Sequence, residues 1–172
     1  MQIFSKQKNI GLPINKQAGF SLVEVLIASL IISASIFALV SASTQGIQLS
    51  REALQQTQAS FILEEGAEAV KSIRDAAWTN ISGLTLGSDY YIAYNTGTNT
   101  WGLTATNPGS IDSLFTRTIQ FGAVSRDGND DIASSGTTDV RTKKVTITVT
   151  WPRSDQTTST RDLSFYISDI FN

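Results

Sequence analysis

The chain of 172 residues contains no cysteine and no histidine. No disulfide framework can form, and cysteine usage gives no redox compartment. Thiol nucleophiles, histidine general bases and the ordinary zinc ligand sets are excluded with them. Most familiar hydrolytic mechanisms therefore lack their machinery; an enzyme would have to work with Asp, Glu, Lys, Tyr and Ser. Proline is scarce, with three residues in all, and none stands between Phe20 and Trp78. Charge is sparse and balanced, with 13 Lys and Arg against 15 Asp and Glu and a net charge of −2. That balance gives no broad basic field, so nucleic acid is not indicated as a partner. The length suits one modest domain plus an appended element.

What the chain has in quantity is one apolar run. Residues 1–19, MQIFSKQKNIGLPINKQAG, carry Lys6, Lys8 and Lys16 and no acid. Pro13 and two glycines argue against a stable helix there. Such a basic leader stays cytoplasmic under the positive-inside rule. From Phe20 to Val40 there are 21 residues, of which sixteen are apolar, four are serines and one is Glu24. As a helix the run covers roughly 30 Å, the hydrocarbon thickness of a bilayer. A secretory signal peptide is the alternative: its apolar region is shorter, ~7–15 residues, but SAS occurs at Ser33–Ser35 and Ser41–Ser43 and leaves a cut near Ser43 open.

Beyond Val40 the helical pattern continues in register. Gln, Glu and Ala dominate, and apolar residues recur at Ile47, Leu54, Phe61, Ile62, Ala69, Val70, Ile73 and Ala77. The spacing predicts an amphipathic helix ending near Trp78, with Gly46 and Gly66 as its weak points. Its Ile47–Ala77 stripe reads as a core face that needs a cover. Strand patterns supply one. DYYIAY and WGLTA flank NTGTNT as a hairpin around Tyr90–Ala105. LFTRTIQF, KKVTITVTW and RDLSFYIS alternate apolar and polar residues, and Pro152 closes the second of these. About four to five antiparallel strands after one long helix predict an α+β architecture.

Two further features raise questions of chemistry. Asp127, Asn129 and Asp131 stand at D-x-N-x-D spacing, which can converge oxygen ligands on calcium. Ile132 follows where glycine would be expected and no Glu closes the loop, so the calcium pattern is weak and the same residues are ordinary turn formers. Trp101, Tyr90, Tyr91 and Tyr94 can form an exposed adhesive or DNA-stacking surface, though such residues more often fill or edge a sheet core.

The stretch GFSLVEVLIA, beginning at Gly19, resembles the processing site of type IV pilins and type II secretion pseudopilins. The resemblance implies a cut between Gly19 and Phe20 by a membrane prepilin peptidase, N-methylation of Phe20, and an assembly and register role for Glu24. It also implies a pilin-like fold: a leader over 1–19, a transmembrane or filament-core helix over 20–43, its amphipathic continuation over 44–78 and a β-rich domain over 79–172. The implied function is a structural, non-enzymatic subunit of a type IV pilus, major or minor. A type II secretion pseudopilin is the alternative, and a membrane-anchored sensor or enzyme is the different class. The implied partners are prepilin peptidase, other pilin or pseudopilin subunits, a cytoplasmic-membrane assembly platform and, before assembly, lipid. The implied location is the cytoplasmic membrane, leader inside and β domain outside, followed by an extracellular filament or periplasmic pseudopilus. No cofactor is implied beyond the calcium candidate. The departures are the missing cysteines, where many relatives carry a C-terminal disulfide loop, and the missing proline in the apolar half of the helix.

Overall fold

A computed structural model describes residues 19–153 and 155–170. The chain falls into two compact units, Met1–Leu49 and Ser50–Asn172. Helix α1, Leu22–Ala76, contributes its first half to one and its second half to the other. The absence of proline and the density of Leu, Ala, Gln and Glu allow 55 uninterrupted helical residues. Glu24 in its first turn and Arg74 in its last both complement the helix macrodipole. The Asn80 amide donates to the Ile73 carbonyl at 3.3 Å, satisfying an end of the ladder. A single turn, α2 (Thr79–Ser82), follows.

The second unit holds six strands: β1 (Tyr91–Asn95), β2 (Thr100–Thr104), β3 (Thr116–Arg126), β4 (Ile132–Ala133), β5 (Thr137–Pro152) and β6 (Thr158–Ser168). They form two antiparallel sheets, β1-β2 and β4-β3-β5-β6. The hairpin expected around Tyr90–Ala105 is β1-β2, and it stands apart as its own sheet. It abuts β3 through reciprocal backbone bonds between Tyr90 and Ile119, at 2.9 and 2.8 Å. The small strand β4 had no sequence pattern long enough to announce it. Strand β5 starts at Thr137, ahead of the alternating KKVTITVTW, because β3 is long enough to pair with it there.

Strand alternation decides the core. Ile119 and Phe121 on β3, and Val145, Ile147 and Val149 on β5, turn to one side and are essentially fully buried. They meet Ala59, Ile62, Leu63, Ala67, Val70 and Ile73 of α1 in one apolar cluster. Each fully buried aliphatic or aromatic side chain is worth ~1.5–3 kcal/mol, so this cluster carries the α+β packing. Gly66 lies in the contact: a Cβ there would sit 3.1 Å from Arg117 Cδ and 3.3 Å from two carbons of Ile147. It is a point of close approach rather than a bend.

The expectation for the helix stripe needs correcting. Ile47, Leu54 and Phe61 are 57%, 59% and 64% exposed and are not core. The reason is rotational. Phe61 precedes Val70 by nine residues, which at ~100° per residue places it on the opposite side of the helix. Seven-residue spacing keeps Leu54 close to the Phe61 line. Only Ile62, Val70 and Ile73 of the expected series, with Ala69, face the sheet side.

The β3–β5 ladder shifts between Ala123, opposite Lys143, and Val124, opposite Asp139. Val140, Arg141 and Thr142 therefore have no β3 partner and form a bulge. Arg126 ties it down: Nε donates to Asp139 at 2.6 Å and Nη1 to the Asp130 carbonyl at 2.7 Å.

Candidate processing and assembly segment

Gly19, Phe20 and Ser21 lie ahead of the helix in non-helical backbone. Among the described residues nothing stands within 4 Å of a Cβ built on Gly19, and Phe20 is 80% exposed. Helix α1 begins immediately after this junction. Val25 N–H reaches back to the Ser21 carbonyl at 3.2 Å, so the first turn closes within five residues of the junction.

Every large apolar side chain from Leu22 to Val40 is exposed, including Leu30, Ile31 and Phe37. The helix is long and apolar enough to cross a membrane, and none of its most apolar window is buried. Its serines do not contradict that environment. Ser29 donates to Leu26 O at 2.9 Å, Ser33 to Ser29 O at 2.7 Å and Ser35 to Ile31 O at 2.8 Å. Each hydroxyl is satisfied inside its own helix and needs no water.

Glu24 is the exception. With Ser21, Val23, Ile27, Ala28 and Ile31 it lines a shallow groove of about 450 Å³. Among the described residues it has no hydrogen bond and no ion pair. The helix N-terminus favours a negative charge at this position.

The other candidates fall elsewhere. Asp127, Asn129 and Asp131 close the turn between β3 and β4. The Asp127 Oδ1 accepts the backbone amides of Asn129 at 2.8 Å and Asp131 at 3.1 Å. Its oxygen thus organises a turn, and no group of three or more acidic residues placed to hold a metal occurs among the described residues. The aromatic residues do not make one surface. Tyr90 packs edge-on to Phe121 at 6.0 Å and accepts the Thr85 amide. Trp101 packs on the core, and its ring lies tilted against Tyr94, which is half exposed, with centroids 4.8 Å apart.

Sequence patterns missed two polar assemblies. Arg117 is 8% exposed; it donates to the Ile62 carbonyl at 2.9 Å and to Glu65 at 3.4 Å, and burial lowers its pKa against the opposing pull of Glu65. Its place on the apolar face of LFTRTIQF was the available signal. The Asp139–Arg126–Thr142 assembly depends on the bulge, which no local pattern marks. There the Thr142 hydroxyl and the Arg126 guanidinium hold the Asp139 carboxyl down at about 2.

Residues 14–43 match the family described as the prokaryotic N-terminal methylation motif, the signature of type IV pilins and pseudopilins. No curated protein and no solved structure matches the chain. The matched stretch contains Gly19, Phe20 and Glu24 and ends within the exposed apolar half of α1. The motif supports a pilin-like or pseudopilin substrate of prepilin peptidase and indicates a structural subunit.

Proposed function

We propose that this chain is a prepilin that is cut between Gly19 and Phe20, N-methylated on Phe20 and assembled into a type IV pilus. The observation that carries this reading is the methylation motif placed directly ahead of the exposed apolar half of α1, whose one acid, Glu24, has no partner among the described residues. Before assembly the helix rests in the cytoplasmic membrane among lipid, leader inside and β domain outside. The assembly platform then draws it into contact with other subunits, and the filament extends outside the cell.

Cleavage removes three lysines and creates an amine on Phe20; methylation leaves that amine charged. A carboxylate among apolar side chains is costly unless it finds a partner. In a helical bundle the Phe20 amine of one subunit reaches the Glu24 groove of its neighbour. Two unit charges ~4 Å apart gain about 4 kcal/mol at an effective dielectric near 20, before desolvation is subtracted. The pair therefore sets register, and apolar contact along Leu22–Val40 supplies most of the association. Ala28, Ser29, Ser33 and Ala34 are small enough to let helices approach closely.

The same chemistry serves a type II secretion pseudopilus, which is the second reading; the motif is shared and favours neither. Glu24→Ala tests the pairing. It leaves leader removal intact and abolishes incorporation into sheared filaments, measured by immunoblot. Filament yield equal to the unaltered chain removes the pairing role.

A further inference from the structure

Hairpin β1-β2 carries a pair of aromatic rings that the core does not use up. Ile92 stands opposite Leu103, and Tyr94 stands opposite Trp101, two residues nearer the turn. Strand alternation puts all four on one face of the ribbon. Ile92 is buried, and Leu103 and Trp101 pack on the core from its margin. Tyr94 remains 48% exposed. Its ring centroid lies 4.8 Å from that of Trp101 at an interplanar angle of 57°, so the pair is tilted rather than stacked. A cross-strand aromatic pair steadies a hairpin. Here the inner ring is also fixed by the core, and the outer ring is held against it with surface left to solvent.

The two residues border a groove of about 550 Å³ that also takes in Asn95, Thr96, Thr100 and Gly102, and no charged residue lines it. Asn95 Oδ1 accepts the Gly97 and Thr98 amides at 2.9 and 3.3 Å. The Asn95 amide group and the Thr96 hydroxyl have no partner among the described residues. Gly102 stands inside β2 opposite Ala93, in a ladder without a bulge. A Cβ built on it would meet only the Ala93 carbonyl, at 3.9 Å. Glycine inside a strand marks a bulge or bend, a crowding backbone, or a place where a ligand approaches. Neither a bulge nor a crowding backbone is present here. The surrounding sequence is as free of positive charge as the groove: no Lys, Arg or His stands between Arg74 and Arg117.

We propose that this groove binds a neutral polysaccharide, with a hexose ring seated on Tyr94 and its hydroxyls bonded by Asn95 and Thr96. A hexose presents an apolar C–H face and a rim of hydroxyls. Aromatic surface takes the first, and amide and hydroxyl side chains take the second. Charge separates this ligand from the others that stack on aromatic rings. A nucleic acid would bring phosphates, which need cations, and no basic residue stands anywhere from Asp75 to Thr116. A cationic ligand would call for an acid, and none lines the groove. An apolar ligand would bury the Asn95 and Thr96 donors without partners, which is costly. The site belongs to the second unit alone and does not depend on processing of the leader.

The test passes the full-length chain over immobilised dextran, mannan and galactan, in micelles of lauryldimethylamine oxide, a detergent without a sugar headgroup. The chain is retained on at least one polymer and released by the matching monosaccharide. High salt leaves retention unchanged, because no counterions are displaced. Tyr94→Ala weakens binding to the retaining polymer about tenfold, and Tyr94→Phe restores most of it. Gly102→Val fills the open position with a residue that strands favour. It keeps both rings and the melting temperature of the unaltered chain, yet it also weakens retention, which separates the site from the stability of the hairpin. Tyr166→Ala removes a tyrosine of similar exposure, 50%, from β6 and changes nothing. The proposal is overturned by passage through all three polymers, by retention that salt abolishes, by full retention of Gly102→Val, or by equal effects of Tyr94→Ala and Tyr166→Ala. Prepilin processing is read separately from the mass of the amino terminus, so either idea can fail without the other.

Discussion

Replacing Gly66 with alanine sets helix propensity against packing, and the structure decides the sign. In an exposed helix interior, glycine to alanine gains ~1 kcal/mol. At Gly66 the new methyl would lie 3.1 Å from Arg117 Cδ and 3.3 Å from both Ile147 Cδ1 and Cγ2. Neither neighbour is free to yield. Ile147 is 0% exposed on the central strand β5, and the Arg117 guanidinium is held by the Ile62 carbonyl one turn earlier on the same helix. Overpacking a well-filled core costs ~1–3 kcal/mol. The balance is a net loss of about 1 kcal/mol, or ~3–6 °C in Tm for a unit of this size. Thermal melts of the full chain followed by tryptophan fluorescence measure it, since Trp151 is 4% exposed in the same core. Ile147→Val removes one of the three close carbons and should recover part of the loss in the double variant, giving a coupling free energy of ~0.5–1 kcal/mol. A higher Tm for Gly66→Ala, or strict additivity with Ile147→Val, refutes the close-approach explanation.

Other perturbations separate the two sides of the helix and the polar assemblies. Phe61→Ser should change stability by less than ~0.5 kcal/mol, whereas Ile73→Ala should cost ~2–5 kcal/mol by chemical denaturation; similar losses would mean Phe61 is core after all. The Asp139 pKa is lowered from 3.8 to about 2 in the folded chain. Its contribution is therefore present above about pH 4 and disappears as pH falls toward 2. Arg126→Gln should flatten that part of the stability–pH curve, and an unchanged curve contradicts the assignment. Asp127→Ala should cost about 1 kcal/mol through the loss of two turn hydrogen bonds, by the same amount in calcium and in chelator; a calcium-dependent difference would instead mark the turn as a metal site.

Much of this fold was legible because its signals are periodic and local. The absence of proline from Phe20 to Trp78 marks one helix, and the alternation in KKVTITVTW marks the central strand down to which residues are buried. Gly19, Phe20 and Glu24 were legible as a motif because their spacing is fixed along the chain. What failed depended on distant partners. Phe61 shares a helical repeat with Leu54, and only the position of the sheet tells which side of that helix is covered. The length of β5 depends on β3 running to Arg126, and its bulge on the anchoring of Asp139 to Arg126. Gly66 looked like a weakness in a helix because the side chains that crowd it, Arg117 and Ile147, lie about fifty and eighty residues away.

The central claim is that the Gly19–Phe20 junction is processed before the exposed apolar helix assembles. Mass spectrometry of the chain recovered from cells with an active prepilin peptidase tests it most directly. The account predicts an amino-terminal peptide that begins at N-methylated Phe20, and an intact leader in cells lacking the peptidase. A chain that retains Met1–Gly19 beside the active peptidase, or one cut near Ser43, contradicts it.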